Sequence, residues 1–361
     1  MNRGFCQPLI QGLVLACLLC IGGCAEIKYT LQLDPEFRNN TPARVWPAAP
    51  EQARYRYVGQ LWGEDNLVPQ DAANRGAAVK IFDWLVGLFD GDEPKTTLKR
   101  PQSGVADAQG RIYVTDISNH AVFVFDQAAG KLQVWQQALE RMKFVTPIGI
   151  AIGVDGQILV ADAELGLVVR LNQQGKPLGS FGRGLLTRPT GLARDASQGR
   201  IFVSDTQAHN IKVFSDDGQL LETWGARGEG EGEELNFPTH LAYAGEKLYI
   251  ADSMNARVQV FDAQGQYLQT LGKRGRQYGD LTRPKGVTVD GEGNIYVVES
   301  LYDNLLVFNP QGQFLMPLGG TGKEIGQFYL PAGLWRDAQD RIYVADMFNG
   351  RVVIFQFLGN L

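Results

Sequence analysis

The chain has 361 residues, of which 44% are apolar, 10% aromatic and 20% charged. This composition excludes a disordered protein. The formal net charge of −5 argues against a nucleic-acid binder, because such domains normally carry a strongly basic face. The length suits either two ordinary domains or one closed β architecture, which often exceeds the usual size of a domain.

The first 24 residues have the pattern of an export signal: a short basic start, an apolar stretch over 9–21 and the ending Ile21-Gly22-Gly23-Cys24. This ending resembles a bacterial lipobox. The resemblance implies removal of residues 1–23, lipidation of Cys24 and, in a Gram-negative host, an outer-membrane location on the periplasmic or the surface face. Ordinary signal cleavage, with Cys24 as an unmodified thiol, is the alternative. All four cysteines lie in 1–24, so the remaining chain has no disulfide and no thiolate metal site.

Two further segments lie outside any repeated pattern. Residues 24–53 contain four prolines and little periodicity, which indicates a tether behind the lipidated cysteine. Residues 64–97 are an insertion in which 77–89 has the spacing of an amphipathic helix. That helix either packs across a channel mouth or presents Trp84 to a partner or to lipid.

Six similar units occupy the remaining sequence, 54–361. In each unit an apolar strand ends in an acidic residue, and these residues recur at intervals of 43–47 positions: Asp116, Asp162, Asp205, Asp252, Glu299 and Asp346. A strand precedes and a strand follows each of these, and a fourth strand follows in the first five units. The sixth lacks it, but 57–63 has the missing pattern. The sequence therefore predicts an all-β, six-bladed β-propeller of four-stranded blades, closed by an N-terminal strand and carrying one short helical insertion.

The sequences that follow two of the acidic residues resemble the NHL repeat, in which an Asp is followed by an Asn three positions later and an Arg five positions later. Asp252, Asn255 and Arg257 have this spacing, and so have Asp346, Asn349 and Arg351. In that family the triad is mainly structural, so the resemblance implies that these acids stabilise the fold rather than catalyse a reaction.

Candidate functional residues fall on the face where strand two connects to strand three and strand four to the next strand one, here called the top face. His120 and His209 belong to turns, whereas His240 stands on an inner strand where four other blades have Gly. Ser103 replaces the same Gly in blade 1. The large polar side chain of His240 in place of Gly indicates a filled channel mouth. Zinc needs three or four ligands close together, so solvated or turn-stabilising histidines are expected, with no metal and no cofactor.

Basic residues form two further sets on this face. Arg100, Arg188 and Arg283 precede the inner-strand proline in alternate blades, and inward-pointing side chains there would bind an anion, whereas outward-pointing ones would be solvated. Lys273, Arg274 and Arg276 follow an acidic loop at 229–234, and such a pair of patches either steers a protein partner or forms a salt-bridged surface.

The resemblance favours a lipid-anchored, extracytoplasmic, monomeric propeller that acts as a non-catalytic scaffold. Its expected partner is a protein or an anionic ligand on the top face, with no nucleic acid and with membrane contact through the lipid only. The alternative is an enzyme with its site at the channel mouth, because related propellers include metal-dependent lyases and lactonases. RNA binding, which cytoplasmic NHL proteins show, conflicts with export and with the acidic composition.

Overall fold

Short runs of β-branched and aromatic residues fold into six sheets around a central channel, as the repeat pattern predicts. The computed structural model describes residues 28–33, 44–70 and 95–359. In each blade the innermost strand lines the channel, and the next three pair antiparallel outward from it. The strand that ends in the acidic residue is the second of each blade, as expected.

The strands have the following bounds in chain order. Blade 1 consists of Pro101–Ala106, Ile112–Asp116, Ala121–Asp126 and Lys131–Trp135. Blade 2 consists of Pro147–Ile152, Ile158–Asp162, Leu167–Leu171 and Pro177–Phe181. Blade 3 consists of Pro189–Asp195, Arg200–Asp205, Asn210–Ser215 and Leu220–Trp224. Blade 4 consists of Pro238–Ala244, Lys247–Asp252, Arg257–Asp262 and Tyr267–Leu271. Blade 5 consists of Pro284–Val289, Ile295–Glu299, Asn304–Phe308 and Phe314–Gly319.

Blade 6 combines strands from distant parts of the sequence. Its inner three strands are Leu334–Arg336, Arg341–Asp346 and Arg351–Phe357, and the fourth is Tyr55–Leu61. This fourth strand pairs antiparallel with Arg351–Phe357, from Tyr55 opposite Phe357 to Leu61 opposite Val352. The predicted closure of the ring by an N-terminal strand is therefore confirmed.

The hydrophobic core lies between the blades. Each pair of neighbouring blades encloses its own cluster of buried apolar residues, so that six clusters surround the channel. Between blades 6 and 1, for example, Phe123 packs in one cluster with Trp335 and Ile354. Because each blade buries both of its faces, the inner-strand edges are left to line the channel.

The described parts of 24–53 differ from a free tether. Tyr29–Leu31 pairs with Leu67–Pro69, and Val45–Trp46 adds a fifth strand to the outer edge of blade 6. The indole of Trp46 lies edge-on to Phe355, with ring centroids 5.4 Å apart. Burial of isolated apolar side chains on the outer blades thus holds segments that have no periodicity of their own.

Several predictions fall outside the described residues. The signal segment, Cys24, the amphipathic stretch at 77–89 and Trp84 belong to this group. Within the described ranges, no helix combines the length and the apolarity that a bilayer span requires. Shorter elements complete the description: the strands Gln137–Leu139, Met142–Lys143, Ala226–Arg227 and Glu234–Leu235, and the 3-10 turns Glu64–Asn66, Val154–Gly156, Thr206–Ala208, Ser253–Asn255 and Met347–Asn349.

Candidate binding site at the top face

The repeated acidic residues at the ends of the second strands bind backbone rather than any open site. Asp116 accepts hydrogen bonds from the N–H groups of Lys99 and Arg100 at 2.6 and 2.9 Å. Glu299 does the same for Thr282 and Arg283 in blade 5. These carboxylates are buried and fully engaged, so they fix the backbone just before each inner strand.

The two complete NHL triads extend this role to the loops between blades. In blade 4 the Asp252 carboxylate accepts from Asn255 and Arg257, both at 2.8 Å. The Arg257 guanidinium also donates to the carbonyl oxygens of Glu229, Gly230 and Glu234. Burial raises the pKa of Asp252, while hydrogen bonds from Asn236, Asn255 and Arg257 lower it. The triad therefore ties the incoming loop to its blade, which is the structural role that the resemblance implies.

His240 lies across the upper end of the channel. Its backbone belongs to blade 4, but its ring reaches Gly333 of blade 6. A Cβ atom added at Gly333 would lie 2.8 Å from His240 Nε2. The imidazole is only 4% exposed, and neither ring nitrogen has a hydrogen-bond partner of acceptable geometry. Burial and, to a smaller extent, the Lys285 charge lower the pKa of His240 to about 4, against the opposing effect of the nearby carbonyls of Gln102 and Lys285. The side chain that replaces Gly is thus a neutral plug.

Close backbone packing completes this upper closure. A side-chain carbon at Gly191 would clash with the Thr239 carbonyl, and one at Gly333 would clash with the Gln102 carbonyl. Below the plug, the channel is a cavity of about 770 Å³ that extends from Ser103 and His240 to the lower loops. The top face and the cavity are therefore separated by the ring of inner-strand starts.

Basic side chains stand above this plug without acidic partners. Arg100, Arg188 and Arg283 are exposed, and Lys285 is half-buried. Among the described residues, none of these four side chains forms an ion pair, whereas Arg100 lies over the Phe348 ring at 5.2 Å. Burial, followed by the charges of Arg100 and Arg283, lowers the pKa of Lys285 to about 8. Arg188 does not act on Lys285, so the structure brings together two of the three predicted arginines around a lysine.

The other two histidines have local roles in their turns. His120 and His209 both have positive φ, at 50° and 57°. The Nδ1 of His120 is 2.5 Å from the carbonyl oxygen of Val145, and the Nδ1 of His209 accepts the Phe237 N–H at 3.2 Å. No group of three or more His, Cys, Asp or Glu side chains in the described chain is arranged to hold a metal ion.

The two charged loops remain separate patches. Glu229, Glu231, Glu233 and Glu234 are exposed, and so are Lys273, Arg274 and Arg276. In the described residues no ion pair joins the two groups; Arg274 instead donates to the Met254 carbonyl. The patches are therefore both available to solvent.

Exposed apolar side chains are concentrated on the same face. Those in the top connections are Met142, Val145, Leu185, Phe237, Met254, Tyr278, Leu301, Tyr302, Tyr329 and Phe348. Tyr278 is 79% exposed, and Tyr329 packs edge-on against Phe348 with centroids 5.6 Å apart. The described lower connections between strands carry no exposed large apolar residue. Sequence reasoning missed this set, because its members lie in separate repeats and show no common spacing, and it placed Lys285 only in the basic patch with Arg283, not beside Arg100.

Comparisons with known proteins agree with the fold. A family model described as a 6-bladed beta-propeller matches residues 234–299, and an NHL repeat model matches residues 186–214. The chain is 29% identical over 127 residues to Protein brain tumor of Drosophila melanogaster, and 29% identical over 199 residues to peptidyl-glycine alpha-amidating monooxygenase of Mus musculus. These matches cover 34% and 52% of this chain but only 12% and 18% of those proteins.

A solved structure of virginiamycin B lyase from Staphylococcus aureus is also similar, with a TM-score of 0.53 at 14% identity. The superposition covers 72% of this chain and 96% of that chain. At this identity the likeness shows the fold alone.

Proposed function

We propose that this chain, a six-bladed β-propeller with NHL repeats, is a binding scaffold whose top face holds a protein partner. The observation that carries the proposal is the concentration of exposed aromatic and aliphatic residues in the top connections, beside basic groups that form no ion pair with any residue the structure describes. Exposed aromatic and aliphatic side chains gathered on one face among charged groups are typical of a protein interface. In the described residues, the lower connections between strands carry no exposed large apolar side chain.

The charge of the top mouth favours a partner with an acidic segment. Arg100, Arg283 and Lys285 lie at the starts of inner strands, and Lys273, Arg274 and Arg276 lie on the connection between blades 4 and 5. Charge of one sign across a binding surface raises the association rate with an oppositely charged partner. Phe348 and Tyr329 would supply the apolar contacts beside these cations.

The cellular setting belongs to the proposal as well. A chain exported and anchored through Cys24 would present this face in the cell envelope. Fractionation tests the anchor: Cys24→Ala should move the folded protein from membranes to the soluble fraction, and continued membrane attachment would contradict lipidation of this residue.

A catalytic role at the channel mouth has narrower support. It rests on similarity to proteins named as a monooxygenase and a lyase. In the described chain, however, His240 is the histidine that an inner strand provides, and its imidazole is enclosed by Gly333 and Gln102. A substrate bound at the top mouth would contact Arg100, Arg283 and Lys285 rather than the imidazole of His240.

Site-specific photo-crosslinking in the native envelope tests the scaffold. A photoreactive residue at Phe348 or Tyr278 should give a discrete adduct, whereas the same residue at Leu178 or Leu315, equally exposed on outer strands, should not. Phe348→Ala should then lower the affinity for the captured protein by about 10-fold or more, as removal of a central aromatic contact does. Identical adducts from the outer strands, or none from the top, would refute the proposal.

A further inference from the structure

Three cations from two blades lie at the starts of inner strands on the top face, close enough for the two arginine charges to act on the lysine. Arg100 precedes the first residue of the inner strand of blade 1, and Arg283 and Lys285 flank Pro284 of blade 5. Blade 6 lies between these blades, and it has the uncharged residues Leu330 and Ala332 at the positions that correspond to Arg283 and Lys285. The charges of both arginines act on Lys285, and the charge of Lys285 acts in turn on His240 below it.

This group differs from the ion-paired arginines of the described chain. Arg111, Arg194, Arg200, Arg257, Arg336, Arg341 and Arg351 each form an ion pair with an aspartate at 2.5–3.3 Å. Arg194 makes two such contacts with Asp216, at 2.7 and 2.6 Å. Three adjacent cations without an anion repel one another, and a half-buried ammonium among them has lost part of its hydration. An acceptor with negative charge would relieve both costs.

The backbone beneath the cations is fixed before any ligand arrives. Asp116 and Glu299 bind the N–H groups of Arg100 and Arg283, and the carbonyl oxygens of the same two arginines accept N–H groups from Ile117 and Ser300. The Arg100 guanidinium is further held over the Phe348 ring. A site whose donors are already positioned loses less entropy on binding.

We propose that Arg100, Arg283 and Lys285 form an oxyanion site that binds a carboxylate presented by an acidic segment of the partner. The inference rests on the proposed function and names the chemical group that the partner offers. Two planar guanidinium groups and one ammonium match the two oxygens of a carboxylate. Phe348, beside Arg100, provides an apolar wall for the methylene groups of an acidic side chain.

The pKa of Lys285 is the direct readout. Lysines of the purified chain are ¹³C-dimethylated and titrated by NMR, with succinate or chloride at equal ionic strength. A carboxylate beside the ammonium favours its charged form, so succinate should raise the Lys285 pKa by about one unit relative to chloride. Arg100→Gln and Arg283→Gln should each reduce the succinate-dependent rise at least threefold. Arg188→Gln, which alters the same repeat position in blade 3, is the matched control and should leave it intact.

Three results would overturn the site. Succinate could leave the pKa of Lys285 unchanged, or it could shift the pKa of Lys131, on the outer strand of blade 1, as far as that of Lys285. Arg188→Gln could also reduce the shift as much as Arg283→Gln does. A larger response to inorganic phosphate than to succinate at pH 7 would reassign the ligand and contradict a carboxylate.

A peptide pair distinguishes an acidic segment from a free carboxylate. A short Glu-rich peptide should displace succinate and bind the site with at least 10-fold higher affinity than succinate does. The counterpart peptide with Gln in place of Glu should not displace succinate. Equal affinities of peptide and succinate would refute the acidic segment. These titrations need no partner, so a response to succinate without any top-face crosslink would refute the scaffold alone, and the converse would refute the oxyanion site alone.

Discussion

Two groups of cations at opposite ends of the channel differ in how their charge is balanced. At the lower end, Arg111, Arg194, Arg200, Arg336 and Arg341 are each paired with an aspartate of the same blade region. At the upper end, Arg100, Arg283 and Lys285 have no such partner among the described residues. Removing one partner of a buried pair leaves an uncompensated charge and destabilises the fold, whereas cations without a partner remain available to a ligand. The contrast assigns stability to the paired arginines and binding to the three upper cations.

The largest expected effect comes from removing the carboxylate of an ion pair at the lower end of the channel. Asp337 accepts from Arg341 Nε, from the Tyr343 hydroxyl at 2.9 Å and from the N–H groups of Gln339 and Arg341. Asp337→Ala would leave these donors unpaired and should lower the free energy of unfolding by about 3–5 kcal/mol, measured by urea denaturation. The upper counterpart, Arg283→Ala, should change it by less than about 0.5 kcal/mol. Equal losses from the two variants would remove the contrast.

A pH effect of intermediate size comes from the plug. Burial lowers the pKa of His240 to about 4, whereas in the unfolded chain it is near 6.5. Between these values the unfolded chain binds a proton that the folded chain does not, so stability falls as the pH drops from about 6.5 to 4. The loss should be about 2–3 kcal/mol in the native protein.

His240→Leu provides the comparison for the plug. It removes the titrating group while keeping an apolar side chain in the channel, so the difference in unfolding free energy between the two proteins should change by the same amount over this pH range. A difference that stays constant from pH 7 to pH 4 would show that the imidazole is accessible to protons in the folded state.

The smallest expected effect concerns the unpaired lysine. The pKa of Lys285 is lower in the folded chain than in the unfolded chain. The charge on Lys285 therefore destabilises the folded state at every pH at which the unfolded chain carries the proton, which is below about pH 10. Lys285→Met should therefore stabilise the protein at pH 7 by about 1–2 kcal/mol, after allowance for partial exposure. This gain should fade as the pH rises from 8 to above 10. Lys247→Met, at the exposed lower end of blade 4, should have no comparable effect.

The sequence predicted those features that repeat along the chain. The acidic residue that ends each second strand, from Asp116 to Asp346, defined the number of blades, and the resemblance of 57–63 to the fourth strands of the other blades predicted the closure. Both inferences hold because every blade packs against its neighbours through the same alternation of apolar residues.

Features that arise from contacts between repeats were harder to predict. Val45–Trp46 is too short for a period, and its attachment depends on Phe355, about three hundred residues later. Lys285 looks like an ordinary solvated lysine until the curvature of the ring brings Arg100 close to it. The replacement of Gly by His240 did indicate a filled mouth, but only the structure shows that the imidazole itself fills it.

The closure of blade 6 also has a consequence for how the protein acquires its fold. The hydrogen bond between Arg351 and Gln60 joins residues 291 positions apart, and the whole closing strand depends on pairings of this separation. During synthesis, the edge of Tyr55–Leu61 that pairs with Arg351–Phe357 has no partner until the last blade has emerged, so this edge stays open for almost the entire process. Contacts between such distant residues form slowly. The step that completes the ring is therefore expected to be both the slowest in folding and the one at which the chain is most exposed to aggregation or to a chaperone.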